Sequence, residues 1–216
     1  MRHVNRSTGR RSLLRLGGTA TAFVLAATGV VVLTGSPAFA AVVPLGCGPW
    51  SGQQPPAGYN VVIMDPNIPV YNSLGGPDFV VGTMVADTIL LTGTNDIVCS
   101  RDGADYVDAS GGEDVIYSGH GADEVYGGLG GDFIHGSQDG DTLVGDSVNG
   151  AGAGGAGDVI HGGQGNDDIY GYDGDDDMYG GEDDDDIFGG SGVSDDGDGG
   201  NGFDSCDNQV ENPISC

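Results

Sequence analysis

The chain has 216 residues, of which 33 are acidic and only six are Lys or Arg, so its formal net charge at pH 7 is −27. A chain this acidic is not expected to bind nucleic acid or an anionic membrane, because both require basic surfaces. High charge with few large apolar residues is typical of disorder unless a regular pattern argues otherwise.

The first forty residues have the features of an export signal. Residues 16–33 carry no charge, and Ala38-Phe39-Ala40 supplies a small-x-small cleavage site, so we expect cleavage after Ala40. A membrane anchor is the alternative, since the apolar stretch is close to the ~20 residues that a spanning helix needs. The basic start also leaves twin-arginine export open. It consists of Arg2, Arg6, Arg10, Arg11 and Arg15.

Removal of this leader would make the chain still more acidic. Residues 41–216 contain one basic residue, Arg101, against 33 acidic residues, which leaves a net charge of −32. Self-repulsion of this size opposes a compact state unless counter-charge binds. The composition therefore favours a fold that depends on a cation.

Residues 41–81 differ in character from the rest of the chain. Residues 41–59 are rich in Pro, Gly and Gln without any period, which predicts an irregular arm. Asn60–Ile63 and Asp78–Val81 are β-branched runs between turn residues and are predicted as short strands. We interpret them as an N-terminal cap, because the first unit of a repeat array has no neighbour on one side.

An aspartate returns every nine residues from residue 82 onward, with glycines before it and an apolar residue two positions after it. Glycine-rich residues 145–152 interrupt the register, which we interpret as a loop in one continuous stack; a break between two domains is the alternative. Ser194 replaces the aspartate after residue 189, so the ladder is predicted to end there, although Asp204 recurs off phase. The in-phase aspartates are Asp87, Asp96, Asp105, Asp114, Asp123, Asp132, Asp141, Asp158, Asp167, Asp176 and Asp185.

Six residues of turn and three of strand would make half of one coil. Because strand side chains alternate in direction, only the middle residue of each triplet faces inward. Two repeats then complete a coil, with two parallel sheets around a slab one side chain thick. We predict an all-β, right-handed parallel β-roll over residues 82–207. Its inward residues are Ile89, Val98, Val107, Ile116, Val125, Ile134, Leu143, Ile160, Ile169, Met178 and Ile187.

The turns are suited to a hard cation. Glycine at positions one, two and four of the unit admits backbone angles closed to other residues, so that turn carbonyls can face a common centre. Calcium accepts 6–8 oxygen ligands with tolerant geometry, whereas magnesium requires a tighter octahedron and zinc prefers nitrogen or sulfur. The alternative is that the aspartates only stabilise turns through local hydrogen bonds.

The unit G-G-x-G-x-D-x-U-x, clearest at residues 127–135, resembles the nonapeptide of the repeats-in-toxin (RTX), or hemolysin-type, calcium-binding family. The whole chain is similar to small secreted RTX-type proteins of actinobacteria. The resemblance implies a β-roll that binds several calcium ions through the eleven in-phase aspartates and turn carbonyls. Position four departs from glycine, which puts the sites at both ends and at the insertion in doubt. The departures are Val85, Thr94, Asp139, Ala156 and Asp183.

Four cysteines allow three disulfide pairings, and export favours disulfides. We favour Cys206–Cys216, which would close the tail at residues 208–216, and Cys47–Cys99, which would staple the arm onto the repeats; the sequence does not choose among the pairings. A metal cluster is the alternative, without C-x-x-C spacing to support it.

Position nine of the unit should face outward. If the insertion preserves the phase, Tyr117, His135, His161 and Tyr179 line one face of the roll. Simple stacking between neighbours explains such a row. One alternative is a stripe that binds a glycan or a protein. Another is a transition-metal site at the two histidines.

These features predict a secreted, non-enzymatic protein that binds calcium and has a structural or interaction role outside the cell. An accessory or remnant module of a secreted hydrolase or toxin is the alternative. The sequence contains no H-E-x-x-H and no G-x-S-x-G, and residues 41–81 are too short for a catalytic domain. It also lacks the long apolar domain that membrane insertion requires. Calcium is the one partner predicted; a cell-surface, glycan or protein partner stays unknown.

Overall fold

The structure is a computed structural model that describes residues 21–24, 31–34, 47–48, 55–146, 155–207, 209–210 and 212–216. Its regular elements are all β-strands. In chain order they are β1 (Thr21–Val24), β2 (Val31–Thr34), β3 (Asn60–Ile63), β4 (Val70–Asn72), β5 (Asp78–Val81), β6 (Thr88–Leu90), β7 (Ile97–Asp102), β8 (Tyr106–Asp108), β9 (Val115–His120), β10 (Glu124–Tyr126), β11 (Phe133–Gln138), β12 (Thr142–Val144), β13 (Val159–Gln164), β14 (Asp168–Asp173), β15 (Asp177–Glu182), β16 (Asp186–Ser191), β17 (Asp196–Asn201), β18 (Ser205–Cys206) and β19 (Asn212–Ile214).

From β3 onward the strands alternate between two parallel sheets. The long sheet has 11 strands in the order β1-β2-β3-β5-β7-β9-β11-β13-β15-β17-β19, and the short sheet has eight in the order β18-β16-β14-β12-β10-β8-β6-β4. Ile116 pairs with Ile134 in the long sheet, and Val107 pairs with Val125 in the short sheet. Each pair is two repeats apart, which confirms the predicted parallel β-roll in which two nine-residue units complete one coil.

The core is one side chain thick and lies between the two sheets. All eleven predicted inward residues, from Ile89 to Ile187, are 0% exposed. The same slab extends toward the N-terminus through Val62, Tyr71 and Val80. The inward and outward alternation predicted from strand geometry is therefore confirmed along the whole repeat region.

Most strands of the long sheet, and β14 and β16 of the short sheet, are longer than the predicted triplets. Strands β9 and β11 each have six residues, and Ser137 and Gln138 still pair with Gly119 and His120. The ladder thus continues through positions one to three of the next unit. The prediction of six turn residues was wrong here, because the residues at these positions keep their backbone groups in register with the adjacent coil.

The N-terminal cap contains more strands than predicted. The two expected strands are present as β3 and β5, but β4, which pairs with β6, was not predicted. Strands β1 and β2 belong to the predicted leader; they are antiparallel to each other, and β2 is antiparallel to β3. Within the described ranges, no helix has the length and apolarity needed to cross a membrane.

The roll is continuous across the interruption. Strand β11 pairs with β13, and β12 pairs with β14. The amides of Gly145 and Asp146 donate to the carbonyls of Tyr170 and Gly171 at 2.8 and 3.2 Å. Gly145 and Asp146 are therefore part of the stack, although the sequence placed them in a loop at 145–152. The inserted residues start two positions later, at residue 147, and lie outside the described residues until residue 155.

The roll also continues beyond Ser194, where the ladder was predicted to end. One extra residue shifts the aspartate to Asp195, which is followed by β17 paired with β15. Gly197 stands opposite Met178 at the inward position of β17, where it contributes no side chain. Val210 packs beside Gly197 and is 6% exposed, so the tail supplies the missing core residue.

The structure contains the two favoured disulfides, Cys47–Cys99 and Cys206–Cys216. The first lies on the outer face of the long sheet in a small second cluster of buried apolar residues. It fixes the N-terminal arm to the roll, as predicted. The rest of the cluster is Phe79, Val81 and Ile97, with Tyr59 and Val115 packed against it.

Candidate metal-binding turns

The repeating aspartates form two rows, each just before the strands of one sheet. The long-sheet row contains two aspartates that were not among those predicted from the sequence, Asp78 and Asp195. The rows are Asp78, Asp96, Asp114, Asp132, Asp158, Asp176 and Asp195 for the long sheet, and Asp87, Asp105, Asp123, Asp141, Asp167, Asp185 and Asp204 for the short sheet.

Within a row, Oδ1 of each aspartate accepts a hydrogen bond from the backbone amide of the aspartate one coil earlier. The amide of Asp96 donates to Oδ1 of Asp114 at 2.6 Å, and the amide of Asp114 donates to Oδ1 of Asp132 at 2.8 Å. The same bond crosses the insertion, from Asp132 to Asp158 at 2.8 Å. These bonds fix one oxygen of each carboxylate and so orient the other. The remaining ones run from Asp78 to Asp96, Asp87 to Asp105, Asp105 to Asp123, Asp123 to Asp141, Asp141 to Asp167, Asp158 to Asp176, Asp167 to Asp185, Asp176 to Asp195 and Asp185 to Asp204.

The second oxygen, Oδ2, is buried in these turns without a hydrogen-bond donor. A buried charged group without a partner is strongly unfavourable, so such groups are normally paired or bound to a metal. Arg101 is the one Lys or Arg among the described residues, so side chains do not supply the missing charge. The affected oxygens, within the described residues, belong to Asp96, Asp105, Asp114, Asp123, Asp132, Asp141, Asp158, Asp167, Asp176, Asp185 and Asp204.

The electrostatics of the rows agree with this picture. Burial raises the pKa of Asp114 and Asp141 to about 8. Burial, together with the charges of Asp132 and Asp176 in the same row, raises the pKa of Asp158 to about 9. Without added positive charge, these carboxylates hold a proton near neutral pH; a cation beside Oδ2 would let them ionise.

At residues 127 and 136, position one of the unit is glycine because of space. A Cβ on Gly127 would collide with Oδ2 of Asp132 and lie 2.9 Å from the carbonyl oxygen of Gly145, one coil later. The equivalent pair of oxygens, Oδ2 of Asp141 and the carbonyl oxygen of Gly162, lies in the same way against Gly136. A carboxylate oxygen and a carbonyl oxygen thus converge at each of these turns, which forms an oxygen-lined cradle too small for a side chain.

Positions two and four use glycine for its backbone freedom. Gly128 and Gly130 have φ of 108° and 126°, in the left-handed region. Asp139 and Asp183 at position four adopt the same region, with φ of 70° and 78°, which aspartate tolerates better than most residues. The predicted backbone role of glycine is therefore confirmed at positions two and four and was wrong at position one, where exclusion of a side chain is the reason.

Asp78 is the first aspartate of the long-sheet row, and protein donors satisfy both of its oxygens. Its Oδ1 accepts from Asn60 Nδ2 at 2.9 Å. Its Oδ2 accepts from the hydroxyls of Tyr71 at 3.0 Å and Ser73 at 2.6 Å. The nine-residue spacing to Asp87 was the signal that could have identified Asp78 as a member of the ladder.

Asp87, the first aspartate of the short-sheet row, is satisfied in a different way. The residue one coil earlier is Pro69, which has no amide hydrogen to donate. Instead, Thr83 donates its amide to Oδ2 at 2.6 Å and its hydroxyl to Oδ1 at 3.0 Å. Asp87 is thus the one predicted ligand whose carboxylate is already bonded on both oxygens.

The predicted outward stripe on the long sheet is present. The rings of Tyr117, His135, His161 and Tyr179 stack with centroid distances of 5.8, 5.8 and 4.6 Å. Burial lowers the pKa of both histidines, which favours neutral rings.

In the described part of the chain, no three His, Cys, Asp or Glu side chains are grouped to hold a metal. A cation at the aspartate rows would therefore need backbone carbonyls to complete its ligand shell.

Comparison with protein families agrees with the geometry. Residues 100–134, 152–187 and 161–194 match the family described as RTX calcium-binding nonapeptide repeat (4 copies). The matched segments lie on both sides of the insertion. Searches of curated proteins and of solved structures gave no match. The nine-residue period, the parallel roll and the family match lead to one conclusion: the chain carries RTX-type calcium-binding nonapeptide repeats.

Proposed function

We propose that the position-six carboxylates bind calcium ions between successive turns, and that the roll folds as several ions bind. The observation that supports this most strongly is one buried carboxylate oxygen per turn without a hydrogen-bond donor. We include Asp204 with the ten predicted aspartates that share this feature and leave out Asp87, whose oxygens are bonded to Thr83. The ten are Asp96, Asp105, Asp114, Asp123, Asp132, Asp141, Asp158, Asp167, Asp176 and Asp185.

Each residue type has a separate part in this proposal. The amide bond to Oδ1 holds the carboxylate in one orientation, so that Oδ2 faces the cradle. Where position one is glycine, as at Gly127 and Gly136, it keeps the cradle free of a side chain, and the turn carbonyls add neutral oxygen ligands. Calcium supplies the positive charge that stabilises the ionised carboxylates. With few carboxylates per ion, we expect Kd values of ~10⁻⁴–10⁻³ M, as in extracellular calcium modules.

Calcium binding and folding should be coupled. The cradles exist only when two adjacent coils are stacked, so the unfolded chain has no comparable site. A ligand that binds only the folded state stabilises it in proportion to RT ln(1 + [L]/Kd). With a net charge of −32 after residue 40, several bound calcium ions would also reduce the repulsion that opposes a compact state.

We also propose that the protein acts outside the cell, after cleavage at Ala40, in a structural or interaction role. The support is the basic and apolar leader, the paired state of all four cysteines, and the expected match between weak sites and abundant extracellular calcium.

A calcium titration of the purified chain, followed by far-UV circular dichroism, tests the proposal. We expect a disordered spectrum in chelator and a cooperative gain of β-structure as calcium rises. Magnesium at the same concentrations is the control and should give little change, because it keeps its water and requires a tighter octahedron. Identical spectra in chelator and in calcium would overturn the proposal.

A further inference from the structure

One buried carboxylate lies outside the two rows. Asp146 follows Gly145 in the turn where the insertion begins, and it is 1% exposed. Both of its carboxylate oxygens lack a hydrogen-bond donor among the described residues. In the aspartate rows, at most one oxygen of each carboxylate lacks a hydrogen-bond donor. Asp146 therefore has more carboxylate oxygens without a donor than any row member.

The surroundings of Asp146 are the oxygens of the turn that Asp158 closes. A Cβ on Gly155 would collide with both Oδ2 of Asp146 and the carbonyl oxygen of Asp173. A Cβ on Gly145 would collide with Oδ2 of Asp158 and lie 2.9 Å from the carbonyl oxygen of Gly171. Two carboxylates and two carbonyls, all from this turn and the next coil, therefore lie against the two glycines on either side of the insertion.

The charges at this turn repel each other. Burial, together with the charges of Asp176 and Asp173, raises the pKa of Asp146 to about 7. Asp146 in turn contributes to the raised pKa values of Asp132 and Asp158. A structural role would require donors for these oxygens, and the surrounding groups are acceptors. A bound cation resolves the conflict, because it is attracted by the carboxylates and accepts lone pairs from the oxygens around it.

We propose that Asp146 is an additional carboxylate ligand at the turn of Asp158, so that this turn has one carboxylate more than the other turns and binds calcium more tightly. The inference rests on the proposed calcium binding by the rows. Residues 145–146 enter the insertion and residue 155 leaves it, so an ion here would join the two ends of the inserted segment. The nine-residue unit does not include this ligand, because Asp146 stands at position two.

Terbium luminescence and isothermal titration with calcium, both on the full chain, test the inference. The wild type should show one binding phase about 10-fold or more tighter than the others, since the number of charged ligands sets calcium affinity. Asp146→Asn should lose that phase and keep the weaker ones. Glu182→Gln removes an acidic charge at an exposed position and should leave every phase unchanged.

The outcomes separate the two proposals. A tight phase that persists in Asp146→Asn, or its absence in a wild type that still binds calcium, would overturn the inference and leave the function proposed for the rows intact. No calcium binding at all would overturn both. If Asp146→Asn lacks β-structure at saturating calcium, Asp146→Glu decides: recovery of the tight phase supports a ligand, and its continued loss contradicts one.

Discussion

The hydroxyl of Tyr71 donates a hydrogen bond to Oδ2 of Asp78, with 3.0 Å between the two oxygens. Ser73 donates to the same oxygen at 2.6 Å. In the next member of the row, Asp96, the equivalent Oδ2 is buried without a donor. The long-sheet row thus begins with an aspartate that is satisfied by side chains, whereas Oδ2 of the next one has no donor among the described residues.

Tyr71→Phe should weaken this N-terminal cap without changing the number of bound calcium ions. The variant removes one of two donors to a buried carboxylate oxygen, which costs about 1–3 kcal/mol. Denaturant unfolding at saturating calcium measures the loss, and isothermal titration counts the ions. Tyr126→Phe is the matched control, because its hydroxyl bonds to Glu124 at an exposed position. A drop in calcium count for Tyr71→Phe would show that Asp78 is itself part of a calcium site.

Asp114→Asn should reduce calcium-dependent stability. The variant retains an acceptor for the amide of Asp96 but loses the charge at Oδ2, so one ion binds weakly. At calcium 10-fold above Kd, loss of one ion's contribution costs about 1.4 kcal/mol. The measurement is the free energy of unfolding at several calcium concentrations. Glu113→Gln removes the same charge one residue away at an exposed position and should match the wild type; equal effects of both variants would point to net charge alone.

Gly127→Ala should destabilise the roll through steric conflict in a cradle. The added methyl group would displace Oδ2 of Asp132 and crowd the carbonyl of Gly145, and such overpacking costs about 1–3 kcal/mol. Calcium affinity should fall together with stability, because the same oxygens are proposed ligands. Gly93→Ala is the control, since the nearest atom to its new methyl group would be 3.7 Å away and its φ is not positive. Thermal unfolding with and without calcium compares the two variants.

Proton and calcium should compete for the rows. Burial raises the pKa of Asp96 to about 6 and that of Asp158 to about 9, whereas an unfolded aspartate titrates near 3.9. Between the pKa of an unfolded aspartate and the raised pKa values of the buried ones, the calcium-free folded state therefore binds more protons than the unfolded state. Its stability should be full below about pH 4 and should be lost as the pH rises through about 6 to 9.

The check is circular dichroism in chelator from pH 4 to pH 9, with a parallel series in calcium. We expect β-structure in chelator to decrease with pH and calcium affinity to increase over the same window. A calcium-free chain that gains structure as the pH rises would contradict the raised pKa values of the buried aspartates.

The sequence predicted the repeated part of the structure well, because period nine determines both the coil and the inward residues. Val107 and Ile134 follow directly from strand alternation once the unit is aligned. The ends were less predictable, because they break the period. Asp195 takes over from Ser194 after one extra residue, and a ladder defined by strict spacing does not show that shift.

The role of position one and the environment of Asp146 depend on contacts between coils rather than on spacing within one. That Gly127 faces both its own Asp132 and the carbonyl of Gly145 is visible only after stacking. The sequence marked Gly145 and Asp146 as part of a glycine-rich interruption, and only their backbone bonds to Tyr170 and Gly171 place them in the roll.

The position of Val210 beside Gly197 has a consequence for the order in which the molecule can be completed. During synthesis or export from the N-terminus, Tyr71 and Ser73 are available early to close the beginning of the roll. The coil that contains Gly197 has to wait for Val210, which emerges later than the rest of that coil. Until then the core beside Gly197 stays open, although the N-terminal end of the roll is already closed.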